Sequence, residues 1–210
     1  MKILQDPVFK AAVKALPEKE KDKLLIRLLR FDEILTEKIY FEQVDHNTAD
    51  HYRLQIEEKI PGMLKPKKGE YFYPYLLVKK MRKASGIINR HVRVTTDKFG
   101  EPWLNLLILT EIMEQYRPRF HFANAHTYQD FNKYFTARLF RTLRQIQALD
   151  EDYHLDFQDK LSDLASHIQQ TPMLQEYVIE SGLNPEQLAE GEIPADIKDL
   201  AEYAKTRKMI

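Results

Sequence analysis

From Pro7 onward, apolar residues return along the chain at the three- and four-residue spacing of amphipathic helices. Asp6-Pro7 supplies a helix start, a capping acid followed by a proline whose missing N–H costs nothing there, and Phe9, Ala12, Val13 and Leu16 follow in register. A first helix therefore ends near Leu16. Pro17 opens a second, EKEKDKLLIRLL, with an acidic first turn and a face of Leu24, Leu25, Leu28 and Leu29. No Gly or Pro interrupts residues 18–60, so polar caps at Asp32 or at Asn47-Thr48 must break that stretch, and three helices are expected across it. Pro61-Gly62 is expected to end this group, and Lys65-Pro66-Lys67-Lys68-Gly69 reads as a basic linker.

A long helix is predicted from about Tyr73 to Val94, with Pro74 in its first turn. The next starts at Pro102 and is apolar nearly all round through Leu106, Leu107, Ile108, Leu109, Ile112 and Met113. It should be a central helix covered by its neighbours, running to Tyr116 before Arg117-Pro118-Arg119. Thr127 and Asp130 resemble a capping box ahead of Phe131, Tyr134, Phe135, Leu139, Thr142, Ile146 and Leu149. Another amphipathic helix spans about Asp152 to Gln169, and Pro172, Gly182, Asn184-Pro185, Gly191 and Pro194 divide the remainder into short capped pieces. The pattern predicts an all-α domain over 1–210 with about eight to ten helices. It is either a multi-helix bundle or an irregular, repeat-like helical stack, with a subdivision into 1–62 and 69–210 as the alternative.

Composition narrows the function classes. The chain has no cysteine, which removes disulfides, thiolate metal sites and thiol nucleophiles, and its six glycines are few for hairpins or phosphate loops. Neither GxGxxG, a P-loop nor a GxSxG elbow is present, so no cofactor is expected. The longest apolar run, Leu106 to Leu109, falls far short of the roughly 20 residues of a membrane span. The N-terminus lacks the long apolar core of a signal peptide. A cytoplasmic protein without membrane attachment is the expectation.

Net charge is zero, yet the charges are segregated. Residues 63–98 carry ten Lys or Arg against Glu70 and Asp97, whereas residues 150–202 carry fourteen Asp or Glu against Lys160 and Lys198. On a helical wheel, Leu77, Met81, Ala84 and Ile88 share one side of the long helix, and Lys79, Lys83, Arg90 and Arg93 the other. The basic stripe would run about 20 Å, enough to meet several phosphates or carboxylates, with Gly86 leaving room for a ligand backbone. In the later helix Phe157, Leu161, Leu164 and Ile168 share the core side, while Asp152, Asp156, Asp159 and Asp163 form an acidic face. The partners these stripes suit are an anionic protein, a nucleic acid, or a second copy in a charge-guided homodimer. The plainer reading is two solvated helix faces.

Aromatic and basic residues also interleave from Tyr116 to Arg144, including Phe131, Lys133, Tyr134, Phe135, Arg138, Arg141 and Arg144. Stacking platforms for unpaired bases look like this, and so does a helix with its rings inward and its arginines at the edges, Arg138 and Arg141 being the residues to test. Glu111-Ile-Met-Glu114 matches half of the paired-carboxylate pattern by which helical hydrolases hold Mg²⁺, but no ExxD follows. The dipeptides Asp45-His46 and Asp50-His51, and His121 with His126, are weaker metal-ligand candidates, and Ser85-Gly86 has no obvious base beside it. An interaction module is the leading reading, and a metal-dependent nucleotide or phosphate hydrolase at Glu111 and Glu114 the alternative.

The stretch ALPEKEKDKLLIRLLRFDEILTEKIYFE, Ala15 to Glu42, resembles the start of an uncharacterised family of small all-helical bacterial proteins. The resemblance implies a bacterial, cytosolic, helical protein and carries no activity or functional residue.

Overall fold

A computed structural model describes residues 3–69, 72–122 and 125–210, the side chains at 121, 122, 125 and 126 excepted. Among the described residues the regular structure is entirely helical. Eleven α-helices are present: α1 (Pro7–Ala15), α2 (Glu18–Leu29), α3 (Glu33–Gln43), α4 (Ala49–Leu64), α5 (Pro74–Thr95), α6 (Gly100–Tyr116), α7 (Ala125–Gln147), α8 (His154–Gln169), α9 (Pro172–Glu180), α10 (Pro185–Ala189) and α11 (Ile197–Thr206). The count exceeds the expected eight to ten because the C-terminal segment adds short helices such as α10, where a proline follows a cap. Asn184 Oδ1 accepts from Glu186 N at 2.9 Å there. Among the described residues no helix is long and apolar enough to cross a membrane.

The polar caps fall where the sequence placed them. Asp6 accepts from Val8 N at 2.9 Å, Asp32 from Leu35 N at 3.0 Å and Thr48 from His51 N at 3.2 Å, so both proposed breaks between 18 and 60 are used. Pro61-Gly62 does not end a helix. Pro61 lies in the last turn of α4, and the helix continues to Leu64 because Ile60 and Leu64, one turn apart, are both fully buried. The chain divides into two compact units, Met1–His46 with Arg93–Thr95, and Asn47–Val92 with Thr96–Ile210. Helix α7 starts at Ala125, so Thr127 and Asp130 sit inside its first turns rather than ahead of it.

In the larger unit α6 is central, as its all-round apolar pattern requires, and α4, α7 and α8 pack on it. Leu104, Leu106, Ile108, Leu109, Ile112 and Met113 are fully buried there. A helix covered on several sides makes this an irregular bundle. Helix α8 in turn carries α9 and α10, and α7 carries α11. Helix α5 is tied to the centre by Lys80 Nζ, which donates to Tyr116 Oη at 2.6 Å, while that phenol donates to Leu64 O at 2.8 Å.

The turn from α5 into α6 is held by a buried carboxylate. Asp97 accepts from Gly100 N at 2.7 Å, contacts His91 Nε2 at 3.0 Å and takes Arg53 of α4 at 3.1 Å. Burial pushes its carboxyl up, but the His91 and Gly100 hydrogen bonds and the Arg53 charge outweigh that and hold it below the ordinary value. A Cβ at Gly100 would stand 2.0 Å from Asp97 Oδ2, so any larger residue there forces the carboxylate to shift.

In the first unit the helices form as predicted, but their apolar faces are not a core. No residue of α1, α2 or α3 is buried, and Phe9, Val13, Leu25 and Leu28 are exposed by 41, 37, 51 and 52 %. No helix of this unit is apolar all round to be sandwiched between others, as α6 is in the larger one.

Candidate polyanion-binding groove

Helix periodicity delivers the basic face of α5 as expected. Leu77, Met81, Ala84 and Ile88 are buried, and Lys79, Lys83, Arg90 and Arg93 are exposed. A Cβ on Gly86 would meet nothing within 4 Å, so that spot on the face is open. What the sequence did not show is that α7 and α11 present matching stripes. On α7, Lys133, Ala137, Arg141 and Arg144, continued by Ala148 just past its end, recur at intervals of three and four, opposite the buried Phe131, Phe135, Leu139 and Ile146. On α11, Lys198, Ala201 and Lys205 do the same beside buried Ile197 and Ala204.

These stripes line three adjoining depressions. The first, about 530 Å³, is walled by Lys67, Lys68, Lys79, Lys80 and Lys83. Lys79 also belongs to the second, about 440 Å³, with Tyr75, Arg82, Lys133 and Tyr134. Ala137 and Ile210 pass from the second into the third, about 740 Å³, where Arg141, Arg144, Lys198 and Lys205 stand. Alanines at 137, 148 and 201 hollow the floor, because a methyl leaves open the space that a longer side chain would fill. Among the described residues lining the three, Asp130 is the one acid.

The cations are held in different degrees. Arg141 pairs with Glu101 at 2.7 Å, and Lys205 with Glu202 at 2.6 Å. Glu202 is held below the usual carboxylate range by the Lys205 hydrogen bond and charge. The Lys205 pair is screened by water and salt, so an incoming phosphate can displace the carboxylate. Lys80 is half-buried and also donates to Lys65 O at 3.0 Å, and Lys133 donates to Lys208 O at 3.0 Å. Arg138, expected on the binding face, is instead half-buried. It donates to Asn105 Oδ1 and, at 3.0 Å, to Tyr134 Oη, because its position on α7 turns toward α6. Arg90 and Arg93 are exposed but are not among the residues lining the depressions.

On α8, Asp156, Asp159 and Asp163 are exposed and Phe157, Leu161, Leu164 and Ile168 buried, while Asp152, expected in the same helix, is exposed in the 3-10 turn that precedes it. The interleaved rings of 116–144 are mostly structural. Tyr116, Phe120, Tyr128, Phe131, Phe135 and Phe140 are buried, and burial pushes the Tyr128 phenol up to about 12. Ser85 Oγ donates to Met81 O at 2.6 Å within its own helix.

Glu111 and Glu114 share a face of α6. Burial raises the Glu111 carboxyl, opposed by a hydrogen bond from Gln115 Nε2 at 2.6 Å and supported by the Glu114 charge. His167 Nε2 lies 3.8 Å from Glu114. Among the described residues no three His, Asp or Glu side chains gather as a metal would need. Asp50 pairs with Arg53 at 2.7 Å, and His51 Nε2 shares a hydrogen bond with Gln55 at 2.9 Å, so these side chains already have partners. Asp45 and His46 belong to the first unit, and the pair His121 and His126 lies outside the described side chains. Among known proteins, no family model, no curated protein and no solved structure matches this chain.

Proposed function

We propose that this chain is a non-enzymatic interaction module that holds an anionic partner in the groove formed by α5, α7 and α11. One observation carries the reading: the three adjoining depressions draw lysines and arginines from three helices and the 65–69 segment, with Asp130 as the one lining acid among the described residues. In a chain of zero net charge such a concentration focuses a positive field into a concave surface, which raises the local concentration of anions. A bacterial, cytoplasmic setting belongs to the same proposal and rests on the N-terminal resemblance.

The test is binding of labelled heparin across a salt series by fluorescence anisotropy. Affinity should fall steeply as salt rises, because each neutralised anionic group releases counterions. The double variant Lys79→Glu/Arg144→Glu should weaken binding by at least about tenfold, since each reversal replaces an attraction with a repulsion. Loss of all binding below 50 mM salt in the native protein itself would remove the proposal. The competing metal-dependent hydrolase would use Glu111 and Glu114, and Mg²⁺ titration calorimetry that registers heat lost in Glu111→Gln would favour it.

A further inference from the structure

Resting on that groove, we infer that its occupant is an unpaired nucleic-acid strand, with its phosphates along the cations of α7 and α11 and its bases stacked on Tyr73 and Tyr75. Both residues are half in water, 53 and 50 % exposed, whereas Tyr116, Phe120, Tyr128, Phe131, Phe135, Phe140 and Phe157 of the same unit are buried. Their centroids are 5.9 Å apart at an angle of 39°. Tyr75 is part of the wall of the second depression, and Lys79 Nζ lies 5.0 Å from its ring. A base can reach an aromatic face and a phosphate can reach a cation at one place on the surface.

The backbone that carries the rings is set before any ligand arrives. Tyr73 is the residue that precedes α5, Pro74 fixes the first helical φ, and Tyr75 follows one residue into the helix. Little freedom is left to lose on binding at these backbone positions. Tyr134, deeper in the same depression, has Arg82 at 5.2 Å and Arg138 at 5.4 Å from its ring, so it serves as a support for cations.

Other polyanions use only part of this surface. An acidic peptide or a polyphosphate engages the cations and has nothing to place on the tyrosines. A duplex keeps its bases stacked inside, and its convex rows of phosphates do not enter hollows floored by Ala137, Ala148 and Ala201. A single strand supplies a flexible backbone together with exposed π-faces, and stacking on aromatic side chains tolerates any sequence.

The experiment compares three probes on the full chain by fluorescence anisotropy at low salt: an oligouridylate of about ten nucleotides, a blunt DNA duplex of the same length, and a polyphosphate of about ten units. The oligouridylate should bind tightest. Tyr75→Ala should weaken it by about 5- to 100-fold, Tyr75→Phe should restore it, and polyphosphate affinity should change less than about twofold in either variant. Arg144→Glu should weaken all three probes. Tyr75→Ala without effect on the oligouridylate, or a duplex bound as tightly as the strand, would overturn the inference while leaving the anion groove standing. If none of the probes binds even at low salt, both fall. Circular dichroism melts of the variants confirm the fold, and Tyr75→Phe separates loss of the ring from loss of structure.

Discussion

Residues 3–46 and the larger unit are built from helices of the same amphipathic kind, and only the second converts them into a core. Helices α1, α2 and α3 bury no residue, whereas α6 alone buries Leu104, Leu106, Ile108, Leu109, Ile112 and Met113 completely. The difference is not in the regularity of the stripes. It lies in α6, which is apolar nearly all round and so gives α4, α7 and α8 a common surface to cover. A face becomes interior only where another layer meets it, and in the larger unit that leaves the outer faces of α5, α7 and α11 to be shaped by charge and by alanine.

The contrast can be broken most sharply by truncation. Phe135→Ala should cost about 3–5 kcal/mol in urea denaturation, because the ring is fully buried and its loss leaves a cavity. Leu28→Ala, at a position 52 % exposed, should stay within about 0.5 kcal/mol. Equal costs would mean that α2 is as enclosed as α7.

Asp97→Ala should destabilise by about 3 kcal/mol, since it strips a buried partner from His91, from Arg53 and from the Gly100 N–H together. Its pH dependence has a definite sign. The folded-state carboxyl lies below its ordinary value of 3.8, so the stabilisation is fully present above about pH 4 and is lost as the pH falls through the depressed value. Native protein should lose stability below pH 4 more steeply than Asp97→Asn does in acid denaturation followed by circular dichroism. Gly100→Ala probes the same knot from the other side and should cost about 1–3 kcal/mol, because the carboxylate must move aside.

Much of this was legible in the spacing of residues, for a reason that also marks its limit. The wheel that put Leu77 inside and Lys79 outside holds, as does the one that separated Phe157 from Asp156, because an α-helix converts spacing into faces. Caps at Asp6, Asp32 and Thr48 were readable for the same local reason. Pro61 does not stop α4 where the local rule says it should, because the burial of Ile60 and Leu64 on either side outweighs the lost N–H bond, and burial is not local. The groove was half visible. Lys79, Lys83 and Arg141 stand out on their own helices, but no pattern within one helix says that Lys198, in the most acidic stretch of the chain, and Lys205, just beyond it, line the same depression as Arg144. Arg138 was chosen on charge, and only the neighbouring Asn105 and Tyr134 show that it is engaged internally. The alternation of cations with Ala137 and Ala148 on α7 was the available signal for a hollow binding face.

Amide hydrogen exchange of the full chain, with and without a saturating oligouridylate, locates the ligand in one experiment. Added protection is expected in α5, α7 and α11 and absent from α1 to α3; protection confined to α1–α3 or to the acidic face of α8 would contradict an anion-binding groove in the larger unit.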